Sequence, residues 1–379
     1  MIPLSISAVG LTSSLGVGSE QACASARAGV ARVTPVDTLN AAVDPALAKE
    51  TIDGVPLLVA HQVPAVATGF TGLGKLLVLA RSALDEVLRK LPLTADQQAR
   101  TGLCLSLSDD YFLSHFGQAP DTAEPMPPPG HGPTLDARAL ALCGRLCREA
   151  GLGIDRPRQW VSRAGRLGML GAFNQAASWI EAGLVDRCLI GAVDSLVEPA
   201  VLQACGKARV LKTDANPVGF MPGEAASFVV VEHAGQALAP VQVLASGYAV
   251  DESYFAPRSQ PLGQGLLKVV QEVVSSPLAR EQGWPRLIVT DLNGTEMRAM
   301  DWGHALVRLR EALGEFEPAV WLPVESFGET GAVTGLLAVC MVFEAARRGQ
   351  LPDGQVLVLL SAEQGGRGSV LLETRRPVH

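Results

Sequence analysis

The 379-residue chain lacks several things that would assign it quickly. It has no excess of positive charge: 31 Lys and Arg stand against 38 Asp and Glu, which excludes a broad basic face for nucleic acid. It has no apolar run of about 18 residues, so no membrane-spanning helix is expected. The first residues, 1–18, are apolar but have no basic stretch ahead of them, and they read as a strand and turn rather than a secretion signal. There is no Cys-x-x-Cys pair. The seven cysteines are scattered, and Cys143 and Cys147 lie four apart on one helical face with no further ligands nearby. The six histidines are equally dispersed. No metal site and no cofactor is expected, and the cysteines read as buried thiols of a cytoplasmic protein.

What is present is an alternation of strand-like and helix-like segments. Strand patterns occur at 4–10, 101–107, 188–191, 226–232, 241–248, 287–290, 355–361 and 369–373. Helical patterns occur at 20–28, 70–90, 135–150, 171–182, 262–276 and 331–348. The Pro- and Gly-rich stretch 119–133 reads as a loop. Strands that alternate with helices imply parallel sheets covered on both faces. After the linker-like HAGQALAP, residues 233–240, the cycle restarts, which points to an internal duplication with halves at 1–235 and 236–379.

Six stretches carry a resemblance when taken in order. ISAVGLTSSLGVGSEQACASARAGVARV opens the chain, and GLVDRCLIGAVDSL spans 183–196. VGFMPGEAASFVVVE, 218–232, has Gly219, Gly223 and Glu224 leading into a continuous apolar strand. NGTEMRAMD, 293–301, contains Gly294, Thr295 and Asp301. ESFGETGAVTG spans 325–335, and EQGGRGSVLLE, 363–373, contains Gly365 and Gly366. Together they resemble the β-ketoacyl synthases over nearly the whole chain. The resemblance implies an α/β, thiolase-like fold of two similar halves in a five-layered α-β-α-β-α arrangement.

The resemblance also marks what is missing. A decarboxylating ketosynthase needs a Cys nucleophile at a helix N-terminus, where the helix dipole favours the thiolate. It also needs two His that stabilise the thioester oxygen and the carbanion left by CO2 loss. Alignment without gaps places Arg166 at the Cys position, and a two-residue shift places Gly168 there; no Cys occurs between Cys147 and Cys188. Asn293 and Glu329 occupy the two His positions. Glu325, or Val324 without a gap, stands for the family's Lys, and Gln364 for the Phe of its last glycine loop. Arg cannot attack a thioester because it stays protonated. Ser162 and Ser326 have no His near them in sequence; His304 lies eleven residues beyond Asn293. A buried Arg166 requires a carboxylate, and Glu329 and Glu325 are the candidates.

Three functions follow. The first is a catalytically silent partner of an active ketosynthase, like the family's chain length factors, which help bound the pocket of the growing acyl chain. The second is a structural or adaptor protein of an unrelated system that keeps the fold. The third is acyl transfer or hydrolysis with Glu329 as general base, which requires burial to raise its pKa. An open pocket favours the first or third, and a filled one the second. The resemblance implies a homodimer or a heterodimer with a ketosynthase, and contact with an acyl carrier protein. With only 18% charged residues, the chain is expected to cover an exposed sheet edge by dimerising, with the strand after Trp160 at the centre.

Overall fold

A computed structural model describes residues 1–36, 51–52, 55–56, 58–117, 137–213, 216–235, 239–251, 261–279, 284–314 and 316–376. The expected loop at 119–133 lies outside the described residues. The first five long strands are β1 (Leu4–Ser13), β2 (Thr101–Ser106), β3 (Gln159–Ser162), β4 (Arg187–Ser195) and β5 (Glu224–His233). The next five are β6 (Val241–Val250), β7 (Leu287–Thr290), β8 (Ala319–Trp321), β9 (Gly354–Ser361) and β10 (Gly366–Thr374). The helices that pack against them are α1 (Ser19–Arg27), α2 (Gly72–Lys90), α3 (Tyr111–Phe116), α4 (Ala137–Ala150) and α5 (Gly168–Glu181). After these come α6 (Pro199–Lys207), α7 (Gln264–Val274), α8 (Glu296–Leu313) and α9 (Thr334–Arg347).

The strands run in the order β8-β7-β9-β10-β6-β1-β5-β4-β2-β3. Read outward from the centre, β1-β5-β4-β2-β3 and β6-β10-β9-β7-β8 have the same topology. In each set the first strand lies beside the fifth, then the fourth, second and third. The two sets meet where β1 and β6 pair antiparallel over three positions, Leu4↔Val243, Ser5↔Gln242 and Ile6↔Val241. The linker expected at 233–240 therefore leads straight from β5 into the first strand of the second set; part of it, 236–238, lies outside the described residues.

The expected parallel direction holds for most strands of each set, and one strand departs from it. Within each set four strands share a direction and one, β5 or β10, runs against its neighbours. The reason is plain for β10. Only Ala362–Gly365 separates it from β9, a connection of hairpin length, whereas a parallel crossover takes a dozen residues or more.

Period-two alternation sorts the strand side chains between two environments. Val356, Val358 and Leu360 of β9 and Cys188, Ile190 and Ala192 of β4 enter one central core with α5 and α9. Leu189 and Val193 face the opposite way, onto α2 and α4, while Leu357 and Leu359 face α7 and α8. The result is five layers: α2 and α4, a sheet, the α5 and α9 pair, a sheet, then α7 and α8. Helix α9 is buried along its length from Thr334 to Ala346, which explains why its sequence is apolar on all sides. All seven cysteines are buried free thiols. Among the described residues no helix is long and apolar enough to cross a membrane.

Helix α8 escaped the sequence pattern because its inward stripe is Arg298, Asp301, Ala305 and Leu309. The spacing is helical, but two of the four are charged. Both are neutralised in place: Arg298 bonds Asp291, and Asp301 accepts from Arg367 Nε at 2.6 Å and from Gly263 N at 3.0 Å.

Phe173 lies at the middle of α5, fully buried in the central core. Phe173→Ala is expected to lower the unfolding free energy by about 3–5 kcal/mol, because the surrounding strands of both sets cannot close the cavity. Chemical denaturation followed by circular dichroism measures it.

Candidate functional site

The site lies where the N-terminus of α5 meets the loops that follow β7, the one-turn helix Val324–Phe327 and β9. A 3-10 turn, Gly165–Leu167, leads into α5 and places Arg166 just ahead of the helix N-terminus. The Arg166 side chain is 5% exposed. It donates to Glu329 Oε1 at 2.9 Å and to Glu363 Oε1 at 2.8 Å, with Asp291 Oδ2 3.6 Å away. Burial opposes the guanidinium charge, but Glu329, Glu363 and Asp291 together raise its pKa above the ordinary value.

Glu329 is completely buried and has every acceptor position in use. Its Oε1 receives Arg166 and the Gly331 N–H at 3.0 Å. Its Oε2 receives Asn293 Nδ2 at 2.7 Å and Arg298 at 3.5 Å. Burial pushes this carboxyl up, but Arg166 and Arg298 outweigh it, and with Asn293 and the Gly331 amide they hold it below the usual range. Asn293 is spent in the same way: its Oδ1 accepts from the Thr295 N–H at 3.2 Å and hydroxyl at 2.8 Å. The amide that could have donated to an oxyanion is already committed to a carboxylate.

A second arginine completes the network. Arg298 donates to the Asp291 carbonyl at 2.8 Å and carboxylate at 3.2 Å, and pairs with Glu363. Ser361 N–H donates to Asp291 at 2.8 Å. Two guanidiniums thus face three carboxylates, and backbone and amide N–H groups supply the remaining donors. Sequence reading found Arg166, Asn293 and Glu329 but missed Arg298, Asp291 and Glu363. The available signal was that NGTEMRAMD carries an Arg on the buried stripe of a helix.

Glu325 is a correction. It was a candidate partner of Arg166, but it is exposed and takes no part in the network. The one-turn helix Val324–Phe327 turns Ser326 and Phe327 inward, which leaves Glu325 on the outer side. Ser326 donates weakly to the Ala26 carbonyl at 3.5 Å, and Ser162 accepts from Ala164 N–H. His304 is bonded to the Pro261 carbonyl at 2.8 Å, away from both serines.

The remaining motif residues build the frame. Glu224 ties three segments together, accepting from Val63 N–H at 2.8 Å and Ser195 Oγ at 2.9 Å with Lys75 at 3.3 Å. Gly294 has φ +91°, and a Cβ there would come within 2.6 Å of the Gly219 carbonyl, so the two loops touch only because residue 294 is glycine; a Cβ on Gly219 would instead meet the Val210 carbonyl at 2.6 Å. Gly223 N–H bonds the Glu329 carbonyl at 2.9 Å. Gly365 and Gly366 form the β9–β10 hairpin that carries Glu363.

A cavity of about 280 Å³ remains beside Arg166. Leu76, Tyr111, Phe112, Leu196 and Val201 give it apolar walls, and helix α3 covers one side. A smaller cavity of about 140 Å³ lies beyond Tyr111 and Phe112, bordered by Thr295 and Arg298; Glu363 borders both. Among the described residues no group of three or more His, Cys, Asp or Glu is placed to hold a metal ion.

Arg166→Met is expected to destabilise the fold by about 3–5 kcal/mol, because it strands buried carboxylates without a cation. The loss should be greatest above pH 7 and shrink towards pH 5, as the stranded groups take up protons. In the native protein the sign for Glu329 is the reverse. Its depressed pKa contributes stability that is present above the unfolded-state value and lost as pH falls through the folded one. Denaturant melts of both proteins from pH about 8 down to about 3 test this.

No family model matches the chain, and no curated protein matches it. Solved structures do. The chain is similar to the ishigamide ketosynthase/chain length factor, at TM-score 0.64 and 19% identity over 99% of both chains. It is similar to a type II PKS acyl-carrier protein in complex with its ketosynthase bound to the hexaketide, at 0.71 and 14% over 99% of this chain and 100% of the other. It is also similar to the ketosynthase from module 6 of the bacillaene synthase of Bacillus subtilis 168, at 0.73 and 11% over 99% and 72%. At such identities the likeness speaks for the fold alone, and from end to end this chain has the thiolase-like fold of the ketosynthases.

Proposed function

We propose that this chain is a catalytically silent ketosynthase-like protein that pairs with an active ketosynthase, in the manner of a chain length factor. The observation that carries the proposal is the closed network around Arg166. The place of the nucleophile holds a protonated guanidinium, and the places of the two His hold an amide and a carboxylate that satisfy each other. Nothing there can attack a thioester, and Glu329 would repel a malonyl carboxylate and a developing enolate. Groups that act as a unit lose most of their rate when the nucleophile alone goes.

The other readings are less well supported. General-base catalysis by Glu329 needs a raised pKa, whereas Arg166 and Arg298 hold it down. An adaptor that kept only the fold would have no reason to retain an apolar cavity beside the old site. The partner reading accounts for both the lost chemistry and the retained space. It also gives a role to β3, the last strand of the sheet, paired on one side to β2 and ending four residues before Arg166. In this reading the halves divide at 235/236, and β3 lies at the centre of a homodimer or a ketosynthase heterodimer that an acyl carrier protein visits.

Two measurements test it. Incubated with malonyl and acyl carrier-protein thioesters, the purified chain should release no CO2 and gain no acyl mass, and Arg166→Cys alone should not restore condensation. CO2 release from either protein would contradict the proposal. Light scattering should show a dimer that buries more than about 2,000 Å² in total, with itself or with a co-expressed ketosynthase. A well-folded monomer at high micromolar concentration would remove the partner reading.

A further inference from the structure

The carboxylates that border the larger cavity fall into two groups. Asp110 pairs with Arg163, Glu198 with Lys75 at 2.7 Å, and Glu363 with Arg166 and Arg298. Asp109 and Asp194 have no cation within ion-pair distance among the described residues. Asp194 is only 6% exposed and receives the Ser195 N–H at 2.8 Å and the Ala332 N–H at 2.9 Å. Asp109 receives the Tyr111 N–H at 3.1 Å. The charged groups facing Asp194 are Asp109, of like sign, and Arg166, whose own hydrogen bonds go to Glu329 and Glu363.

A buried carboxylate is normally paired or neutral. Here the buried Asp194 and the half-buried Asp109 border one space beside the paired charges, with the apolar walls of Leu76, Leu196 and Val201 and the rings of Tyr111 and Phe112 on its other parts. An ammonium group suits such a place: it donates to the carboxylates, is attracted to aromatic faces, and leaves the attached carbon chain against Leu76, Leu196 and Val201. A free carboxylate meets two charges of its own sign. The volume, about 280 Å³, is that of a small ligand pocket. We infer that the cavity beside Arg166 binds molecules with an apolar chain and an ammonium group, and that Asp109 and Asp194 set this preference over carboxylate-bearing chains. The inference deepens the partner reading by naming what the retained space holds: an amino-bearing chain rather than a malonyl unit.

The two carboxyls also give the site a pH dependence. Burial moves Asp194 from 3.8 up to about 7, against the pull of its two backbone N–H partners, and burial likewise raises Asp109. The sign follows from linkage. Because the folded state holds this proton more tightly than the unfolded one, stability falls as pH rises between those two values. An ammonium ion offsets that loss by binding the ionised form, so its affinity rises as pH passes through 7.

Calorimetric titration of the isolated full chain with octylammonium, octanol and octanoate tests the inference without any ketosynthase, so its failure is separate from failure of the partner reading. At pH about 8, octylammonium should bind at least about tenfold more tightly than octanoate, with octanol between them. The preference should shrink at pH about 5.5 and in Asp109→Asn and Asp194→Asn, each checked for folding by circular dichroism. If Asp194→Asn fails to fold, Asp109→Asn alone decides, since its half-buried carboxyl bonds only backbone N–H groups of its own loop. Octanoate binding as tightly as octylammonium, a preference unchanged in the folded variants, or no octylammonium binding at millimolar concentration would overturn it.

Discussion

The ion pair between Arg166 and Glu329 is the constraint on which the rest of the site depends. It joins the N-terminus of a central helix in the first half to a loop in the second, across the middle layer of the fold. Neither group could be buried alone: an isolated charge in such a place is unfavourable by several kcal/mol. Together, and with Arg298, Asp291, Glu363 and Asn293 completing their hydrogen bonds, they form a satisfied polar core. At the N-terminus of α5 the polar groups are thus paired with one another rather than left free.

The same network depends on its loop frame: a tight turn at Gly165, contact of Gly294 with Gly219, and the hairpin at Gly365 and Gly366. These features bring Arg166, Asn293, Glu329 and Glu363 to one point. The adjacent cavity is bounded by different elements, chiefly α2, α3 and α6, so it can remain open beside the filled network. Its charge differs accordingly. The network balances nearly all of its carboxylates, whereas Asp109 and Asp194 are left to the cavity.

Much of the fold was legible because strand-and-helix alternation and apolar periodicity are local. Strand direction was not legible: β10 is antiparallel because its connection to β9 is short, and the sheet patterns of Val, Leu and Ala look alike either way. At the site, Arg166, Asn293 and Glu329 were found because they stand at motif positions. Arg298 and Asp291 were missed because nothing in their spacing announces a buried pair between a strand end and a helix. Glu363 was missed because a carboxylate in a glycine-rich turn ordinarily faces water. Glu325 was chosen because it stands where the resemblance puts a Lys, and the one-turn helix leaves it at the surface.

A double-mutant cycle on Arg166→Met and Glu329→Gln, read as unfolding free energies at neutral pH, tests the central claim most directly. If the two side chains form one buried pair, the double variant should be more stable than the sum of the single losses implies, with a coupling above about 1 kcal/mol. Losses that add to within about 0.5 kcal/mol would show that the two residues act independently and would contradict the account.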